Sequence, residues 1–278
     1  MIFWLASYPK SGNTLLRSIL STYFFSEDGE FKFEHLYKIG QFPNTDHFLR
    51  IGINPTNEKK IFENYINAQK EIINEEKKIK FLKTHSALAS INGHKFTDPN
   101  KTIGAIYVVR DPRNVVTSFA YHMSLNIDQA VDIIINSKQF MPKTDKVPKF
   151  FLSSWSLNFN TWKKLNDKVF IIKYEDLINR KKTTLIKTFK FLKDLKIYNS
   201  ELDMIKLNKI IKTTEFNEMQ KLEKKETFTE SMIDVKTGTR KPFFRLGPGN
   251  NWKNDLSIKN RNKIEKAFQE EMLELGYL

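Results

Sequence analysis

The period of hydrophobic and polar positions changes several times along the chain, and each change marks an element. Residues 2–6 (IFWLA) are a short apolar run that ends in SYPKSGNT, after which LLRSILSTYFF continues with helical spacing, so strand, turn and helix are expected in that order. Three more runs read as strands: residues 79–84 (IKFLKT), 104–110 (GAIYVVR) and 168–174 (KVFIIKY), the third and fourth rich in β-branched and aromatic residues. Helical periods fall between and after them, at 57–76, 112–123, 127–137, 149–166, 182–194 and 257–275. Strands alternating with helices predict a parallel sheet with helices on both faces. In such folds ligands bind beyond the carboxyl ends of the strands. SYPKSGNT, KTH and RDPRN all sit there. Residues 26–60 and 222–250 are richer in turn residues and are expected to fold over that edge as loops. No internal repeat and no Pro/Gly/Ser linker interrupts the pattern, so one domain over residues 1–278 is expected.

Composition narrows the chemistry. Hydrophobic residues make up 40% and charged residues 28%, which is enough for a packed core. There is no cysteine, which excludes disulfides, thiolate metal sites and cysteine nucleophiles. The five histidines, His35, His47, His85, His94 and His122, have no finger-like or helix-face spacing, so no metal site is expected. The apolar run at the start is too short for a secretory signal, and no stretch reaches membrane-spanning length; a cytoplasmic protein is expected. The net charge of +14 attracts anions. Most lysines, as in EIINEEKKIK and NRKKTTLIKTFKFLKDLK, read as solvated helix faces, and a selected few as anion ligands.

The first loop has the make-up of an anion cradle. Lys10-Ser11-Gly12-Asn13-Thr14 joins a strand to a helix. A helix N-terminus offers unpaired N–H groups and the positive end of its dipole. Gly12 lets the backbone approach the anion, Ser11, Asn13 and Thr14 add short polar groups, and Lys10 adds a full charge. The spacing GxxxxGK[ST] of nucleotide P-loops is absent, because the lysine precedes the glycine.

Four segments resemble those of the sulfotransferases that use 3′-phosphoadenosine 5′-phosphosulfate (PAPS). YPKSGNT (8–14) resembles the 5′-phosphosulfate loop, FLKTHSAL (81–88) the catalytic segment, YVVRDPRNVVTSFAYH (107–122) the 3′-phosphate segment, and FFRLGPGNNWKN (243–254) the C-terminal RKGxxGxWKN loop. KYEDL (173–177) and TTEFNEM (213–219) are weaker matches, and the resemblance runs from Tyr8 to Tyr277. It implies a single-domain α/β fold: a P-loop-NTPase-like central parallel sheet flanked by helices. It implies that Lys10, Ser11, Gly12, Asn13 and Thr14 hold the 5′-phosphosulfate, that Arg110, Ser118, Arg245 and Gly247 hold the 3′-phosphate, and that Tyr174, Thr214 and Phe216 line the adenine pocket. His85 would be the base, with Lys83 beside it and Lys10 on the bridging oxygen. Leu15 stands where the family often has a stacking tryptophan, Leu246 where it has a basic residue and Asn250 where it has a second glycine. The family's dimer motif KxxxTVxxxE is reduced to Lys253, Ser257-Ile258 and Asn262, which leaves the oligomeric state open.

Sulfuryl transfer, like phosphoryl transfer, depends mostly on positioning and charge stabilisation. An imidazole with an ordinary pKa of about 6.5 suits removal of a hydroxyl proton. Each residue also has a plainer reading. His85 would satisfy a core or loop hydrogen bond, Lys10 and Lys83 would face water, Arg110 would pair with Asp111 or Asp176, and Phe216 would be core. Asp111-Pro112 reads as a helix start, Arg113 as structural, Trp4, Trp155 and Trp162 as core, and Trp252 as the anchor of the C-terminal loop. Two other functions fit parts of the chain. An ATP-dependent kinase would share the fold, and a nucleic-acid-binding protein would share the charge, although no recognition motif appears. The expected partners are PAPS, its product 3′,5′-diphosphoadenosine (PAP) and a small-molecule, glycan or lipid acceptor, with no metal and no nucleic acid. The basic charge is compatible with peripheral contact to an acidic membrane.

Overall fold

All six residues of the first apolar run, Ile2–Ser7, are buried, because the strand they form lies at the middle of a sheet covered on both faces. The computed structural model describes residues 1–74, 79–234 and 237–278. Its five-stranded sheet comprises β1 (Ile2–Ser7), β2 (Gly40–Gln41), β3 (Lys80–Thr84), β4 (Thr102–Val109) and β5 (Val169–Lys173). The spatial order is β2-β3-β1-β4-β5 and every pairing is parallel. Alternate side chains divide the core in two. Ile2, Trp4, Ala6, Tyr107 and Val109 pack with Trp155, Phe159 and Trp162 on one face. Phe3, Leu5, Ile106 and Val108 pack with Leu16, Ile19, Leu20 and Phe189 on the other. The expected central parallel sheet flanked by helices in one domain is therefore the observed fold.

Helices follow the expected order with informative exceptions. Pro112–Met123 begins as read, with Asp111 accepting from the Arg113 N–H and Pro112 at the first position. The expected helix 57–76 is two, Glu58–Glu63 and Tyr65–Asn74, broken at Asn64; residues 75 and 76 lie outside the described ones. The helix expected at 149–166 starts only at Trp155, capped by Ser154, because Phe150–Phe151 pairs antiparallel with Phe140–Met141. The helix expected at 257–275 is broken at Phe268 into Ile258–Ala267 and Gln269–Glu274. Among the helices the pattern did not announce, Met204–Thr213 and Phe216–Lys225 bury little: Leu207 and Ile210 in the first, Met219 in the second. The turn-rich segment 26–60 also contributes β2, which extends the sheet beside β3.

A third, smaller apolar cluster closes one end. Phe31, Phe33 and Leu36 pack against Met219, Phe228 and Phe244. Phe33 stacks on Phe228 at 4.7 Å between centroids. This cluster seats residues 226–234 and 237–245 over the carboxyl edge of the sheet.

The inner strand β4 leaves no room at Gly104, where an added Cβ would lie 2.6 Å from the Lys168 carbonyl oxygen and 2.8 Å from Leu195 Cδ1. Overpacking of this kind costs about 1–3 kcal/mol. Gly104→Ala is expected to lower the urea midpoint without changing the slope of the transition; an unchanged midpoint would mean that β4 and β5 separate easily.

Candidate active site

Strands β1, β3, β4 and β5 end along one edge, and each delivers a polar group there. β1 leads into Tyr8–Gly12, β3 into His85, β4 into Arg110 and β5 into Tyr174. These groups line one cavity of about 400 Å³. Of the residues expected at the site, Lys10, Gly12, Asn13, Thr14, Lys83, His85, Arg110, Ser118, Tyr174, Thr214, Phe216, Arg245 and Gly247 line this cavity; Ser11 does not. The Ser11 side chain is buried, and its hydroxyl has no partner among the described residues.

Two left-handed residues shape the first loop: Lys10 at φ 65° and Gly12 at φ 103°. Lys10 adopts that conformation despite its Cβ, a local strain the surrounding contacts must hold. Gly12 is required twice over, since a Cβ there would also meet the Tyr174 ring at 2.5 Å. Asn13 ties the turn to the strand it leaves, donating to the Leu5 carbonyl at 2.9 Å and to Ser7 Oγ at 3.3 Å. The helix Asn13–Phe25 thus starts at the cavity wall with no side-chain cap on its first N–H groups, the arrangement that receives anions.

His85 is held by the same strand end. Its Nδ1 lies 2.8 Å from the Ser7 carbonyl oxygen and 3.2 Å from Ser7 Oγ. A carbonyl only accepts, so Nδ1 carries the proton and Nε2 presents a lone pair. Asn158 fixes the backbone by donating to the His85 carbonyl at 3.0 Å. Burial, and then the Lys83 charge, push the imidazole down to about 3, so the ring is neutral. Lys83 and Lys10 supply positive charge on either side. Burial lowers Lys83, opposed by Glu230, and lowers Lys10 to about 8. The Lys10 ammonium lies 4.0 Å above the Phe243 ring.

The Arg110 guanidinium carbon lies over the Tyr174 ring, 4.3 Å from its centroid. It donates to the carbonyls of Lys10 (3.1 Å) and Gly247 (3.5 Å), while its Nε is buried with no partner among the described residues. It makes no pair with Asp111 or Asp176: Asp111 holds Arg113, and Asp176 holds Arg180. Gly247, at φ 50°, passes so close to Phe216 that a Cβ would fall 2.2 Å from its ring. Asn250, in place of a glycine, bonds Thr117 and the Asn114 carbonyl and pins the C-terminal loop to the helix Pro112–Met123. Trp252 receives the Arg113 guanidinium at 4.3 Å. Arg245 is exposed and lies over the Tyr121 ring at 4.2 Å.

Three residues that sequence reasoning passed over enter the site. Glu230 accepts from Thr14 (3.2 Å), Arg17 (2.5 Å) and Lys83 (3.2 Å). Burial works against its charge, but Lys83 and Arg17 outweigh it and hold the carboxyl well below its usual range. No spacing rule links positions so far apart, and Arg17 reads from the sequence as an ordinary helix residue. His122, which has no metal-ligand spacing, lines the cavity, edge-on to Phe243 at 6.0 Å. Burial, Lys10 and Lys83 lower it to about 3.

These features define an α/β protein with an uncapped helix N-terminus where its first strand turns, and with cations and a neutral imidazole around it. The chain belongs to the family described as "Sulfotransferase domain", whose profile matches residues 2–276. It is 25% identical over 276 residues to sulfotransferase 1E1 of Bos taurus, covering 96% of this chain and 82% of that one. It is 26% identical over 266 residues to the luciferin sulfotransferase of Photinus pyralis, covering 91% and 66%. A shorter match to sulfotransferase 2A1 of Macaca fascicularis, 25% identical, covers 61% of this chain and 56% of that one. Among solved structures it is similar to mouse sulfotransferase SULT7A1 complexed with PAP (TM-score 0.60, 18% identity, covering 97% and 83%). It is also similar to retinol dehydratase in complex with retinol and PAP (TM-score 0.56, 14% identity, covering 98% and 81%).

The two lowered imidazoles tie stability to acid. Each binds its proton near 6.5 when unfolded and near 3 when folded, so the unfolded chain gains protons first and stability falls as pH drops through that window. The melting temperature is expected to fall between these values, and less steeply in His122→Phe. An equal slope in both proteins would place His122 in water.

Proposed function

We propose that this protein transfers a sulfuryl group from PAPS to a hydroxyl or amine of an acceptor, releasing PAP. The observation that carries the reading is the meeting of Lys10, Lys83 and the free Nε2 of His85 on one cavity, beside an uncapped helix N-terminus. The residues fit the donor. Gly12 keeps the backbone open, and Arg110 Nε is a buried donor in need of an acceptor such as phosphate. In the reaction the acceptor oxygen bonds to sulfur as the bond from sulfur to the bridging phosphate oxygen breaks.

Within that reaction each side chain has a role. The N–H groups of residues 12–14 hold the 5′ end, and Lys10 neutralises charge on the leaving oxygen. Lys83 stabilises the transferring group. His85 Nε2 takes the acceptor's proton, with Nδ1–H held by Ser7. Burial and Lys83 keep that imidazole a weak base. An anionic donor offsets these cations, so basicity rises when donor is in place. Arg110, Ser118, Arg245 and Gly247 surround the 3′-phosphate, while Tyr174, Thr214 and Phe216 enclose adenine. With Leu15 at the usual tryptophan position, stacking falls to the aromatic rings of Tyr174 and Phe216. The acceptor end is mostly apolar, with Met123, Met141, Val147, Phe150 and Phe243 on its walls. This favours an acceptor with an apolar body, such as a phenol or lipid-like alcohol, over a glycan. Among the described residues no helix is long and apolar enough to cross a membrane.

Calorimetry with PAP, ADP and ATP in the presence of EDTA tests the donor. PAP is expected to bind tightly and ADP weakly, because Arg110 recognises the 3′-phosphate; a preference for ATP with magnesium would instead favour kinase chemistry. Because Lys10 titrates near 8, PAP affinity is expected to be full below that pH and to fall above it.

His85→Asn is expected to lower transfer at least about 100-fold, the low end for general-base catalysis, while PAP still binds. Arg110→Ala is expected to weaken PAP by about 1.5–3 kcal/mol, as for a hydrogen bond to a charged group. Equal loss of PAP binding in both variants would overturn these assignments.

A further inference from the structure

Lys10, Arg17, Lys83 and Arg110 converge on the carboxyl edge of the sheet, and the carboxylate set among them comes from the covering segment rather than from the sheet. Glu230 Oε1 lies 3.2 Å from Lys83 Nζ and 2.5 Å from Arg17 Nη2, and Oε2 lies 3.2 Å from Thr14 Oγ1. One side chain therefore joins the cradle helix, through Thr14 and Arg17, to β3, through Lys83. Both cations are deeply buried, their side chains 4% and 7% exposed. An exposed ion pair contributes little, but a buried cation stripped of its partner is strongly unfavourable.

We infer that Glu230 is a positioning residue of the transfer site: it fixes the Lys83 ammonium beside the cradle and keeps it charged. The inference rests on the sulfuryl-transfer reading, in which Lys83 acts at the transferring group. The groups facing Lys83 make the dependence plain. Arg17 approaches from the helix Asn13–Phe25, Lys10 from the cradle loop, and the neutral rings of His85 and His122 from β3's end and the helix Pro112–Met123. Only cations and neutral groups remain in that set once Glu230 is removed. Glu223, the other carboxylate felt by Lys10, is engaged elsewhere, accepting from the N–H groups of Phe243 and Phe244 at 2.7 and 3.0 Å and from Ser231.

The contact also explains how the covering segment keeps its place. Phe228 is locked in the aromatic cluster with Phe33 and Phe244, and Glu230 follows two residues later. The cluster sets the height of the segment over the edge, and the carboxylate sets its register on the cations. Phe243 and Arg245, which return along the same segment, then face the cavity.

The test uses the full chain and two readouts. Lysines are reductively methylated with ¹³C in the empty protein, and the Lys83 signal, assigned by its loss in Lys83→Arg, is titrated by NMR. In Glu230→Gln its pKa is expected to drop by about one unit or more, the scale of a lost close ion pair. Calorimetry with PAP at a series of pH values then reads the consequence. Lys10, which sets the alkaline fall in affinity, also feels Glu230, so that fall should begin at lower pH in Glu230→Gln as well. Glu230→Asp keeps the charge but retracts it, so a smaller shift in the same direction is expected, and it decides the question if Glu230→Gln does not fold. An unchanged Lys83 titration, or a loss of affinity equal at every pH, overturns the inference and leaves Glu230 a structural tether. If the wild type fails to bind PAP while Lys83 still shifts, the donor reading falls and the placement of Lys83 by Glu230 stands.

Discussion

Like charges gathered in a partly dry cleft repel one another, and this fold is arranged around that cost. Lys10 feels Lys83 and Arg110, and Lys83 feels Arg17, so each proton held at the carboxyl edge makes the next harder to hold. Burial first, and then these neighbouring cations, lower Lys10 to about 8. Three devices make the cluster tolerable. Glu230 stands against two of the cations, the faces of Phe243 and Tyr174 receive Lys10 and Arg110, and backbone carbonyls of Lys10 and Gly247 accept from Arg110. None of the three neutralises the cluster fully. The remaining positive field is what an anionic donor would meet.

The sheet provides the rigidity such a cluster needs. β1 is buried on both faces between two aromatic-rich layers, and the four functional segments leave the ends of neighbouring strands. Asn13 bonds back to β1, and His85 is held by the last residue of β1. The cradle and the imidazole therefore share one anchor, Ser7, and cannot drift apart without breaking the same strand end. Proximity of this kind is what in-line group transfer requires.

The parts of this architecture that were legible in the sequence are those with a local signature. β1, β3, β4 and β5 announce themselves as apolar runs, and Asp111-Pro112 marks a helix start to the residue. Gly12 and Lys10 sit in a loop whose chemistry can be read from seven consecutive letters. What escaped lies in contacts between distant positions. Nothing near Glu230 foretells its seat on Arg17 and Lys83, because the register is fixed by Phe228 in an aromatic cluster assembled from three separate segments. The helices Met204–Thr213 and Phe216–Lys225 were hidden for a related reason: each buries one or two apolar side chains, and lysines cover the rest. Ser11 shows the converse. Its place in the cradle motif suggests a ligand hydroxyl, yet its side chain is buried away from the cavity and its N–H donates to the Tyr8 carbonyl at 3.3 Å.

The neutral state of His85 follows first from burial and then from the Lys83 charge. An imidazole among lysines is a poor base, and a site that kept its cations unmatched would hold its catalyst idle. A donor bearing several negative charges changes the field at His85 and at Lys83 together, raising the affinity of both for protons. The base would then strengthen only where the sulfuryl group is already seated, and an acceptor arriving first would meet an imidazole held near 3. Under the proposed reading, Glu230 sets how much of the cations' charge is left for the donor to cancel.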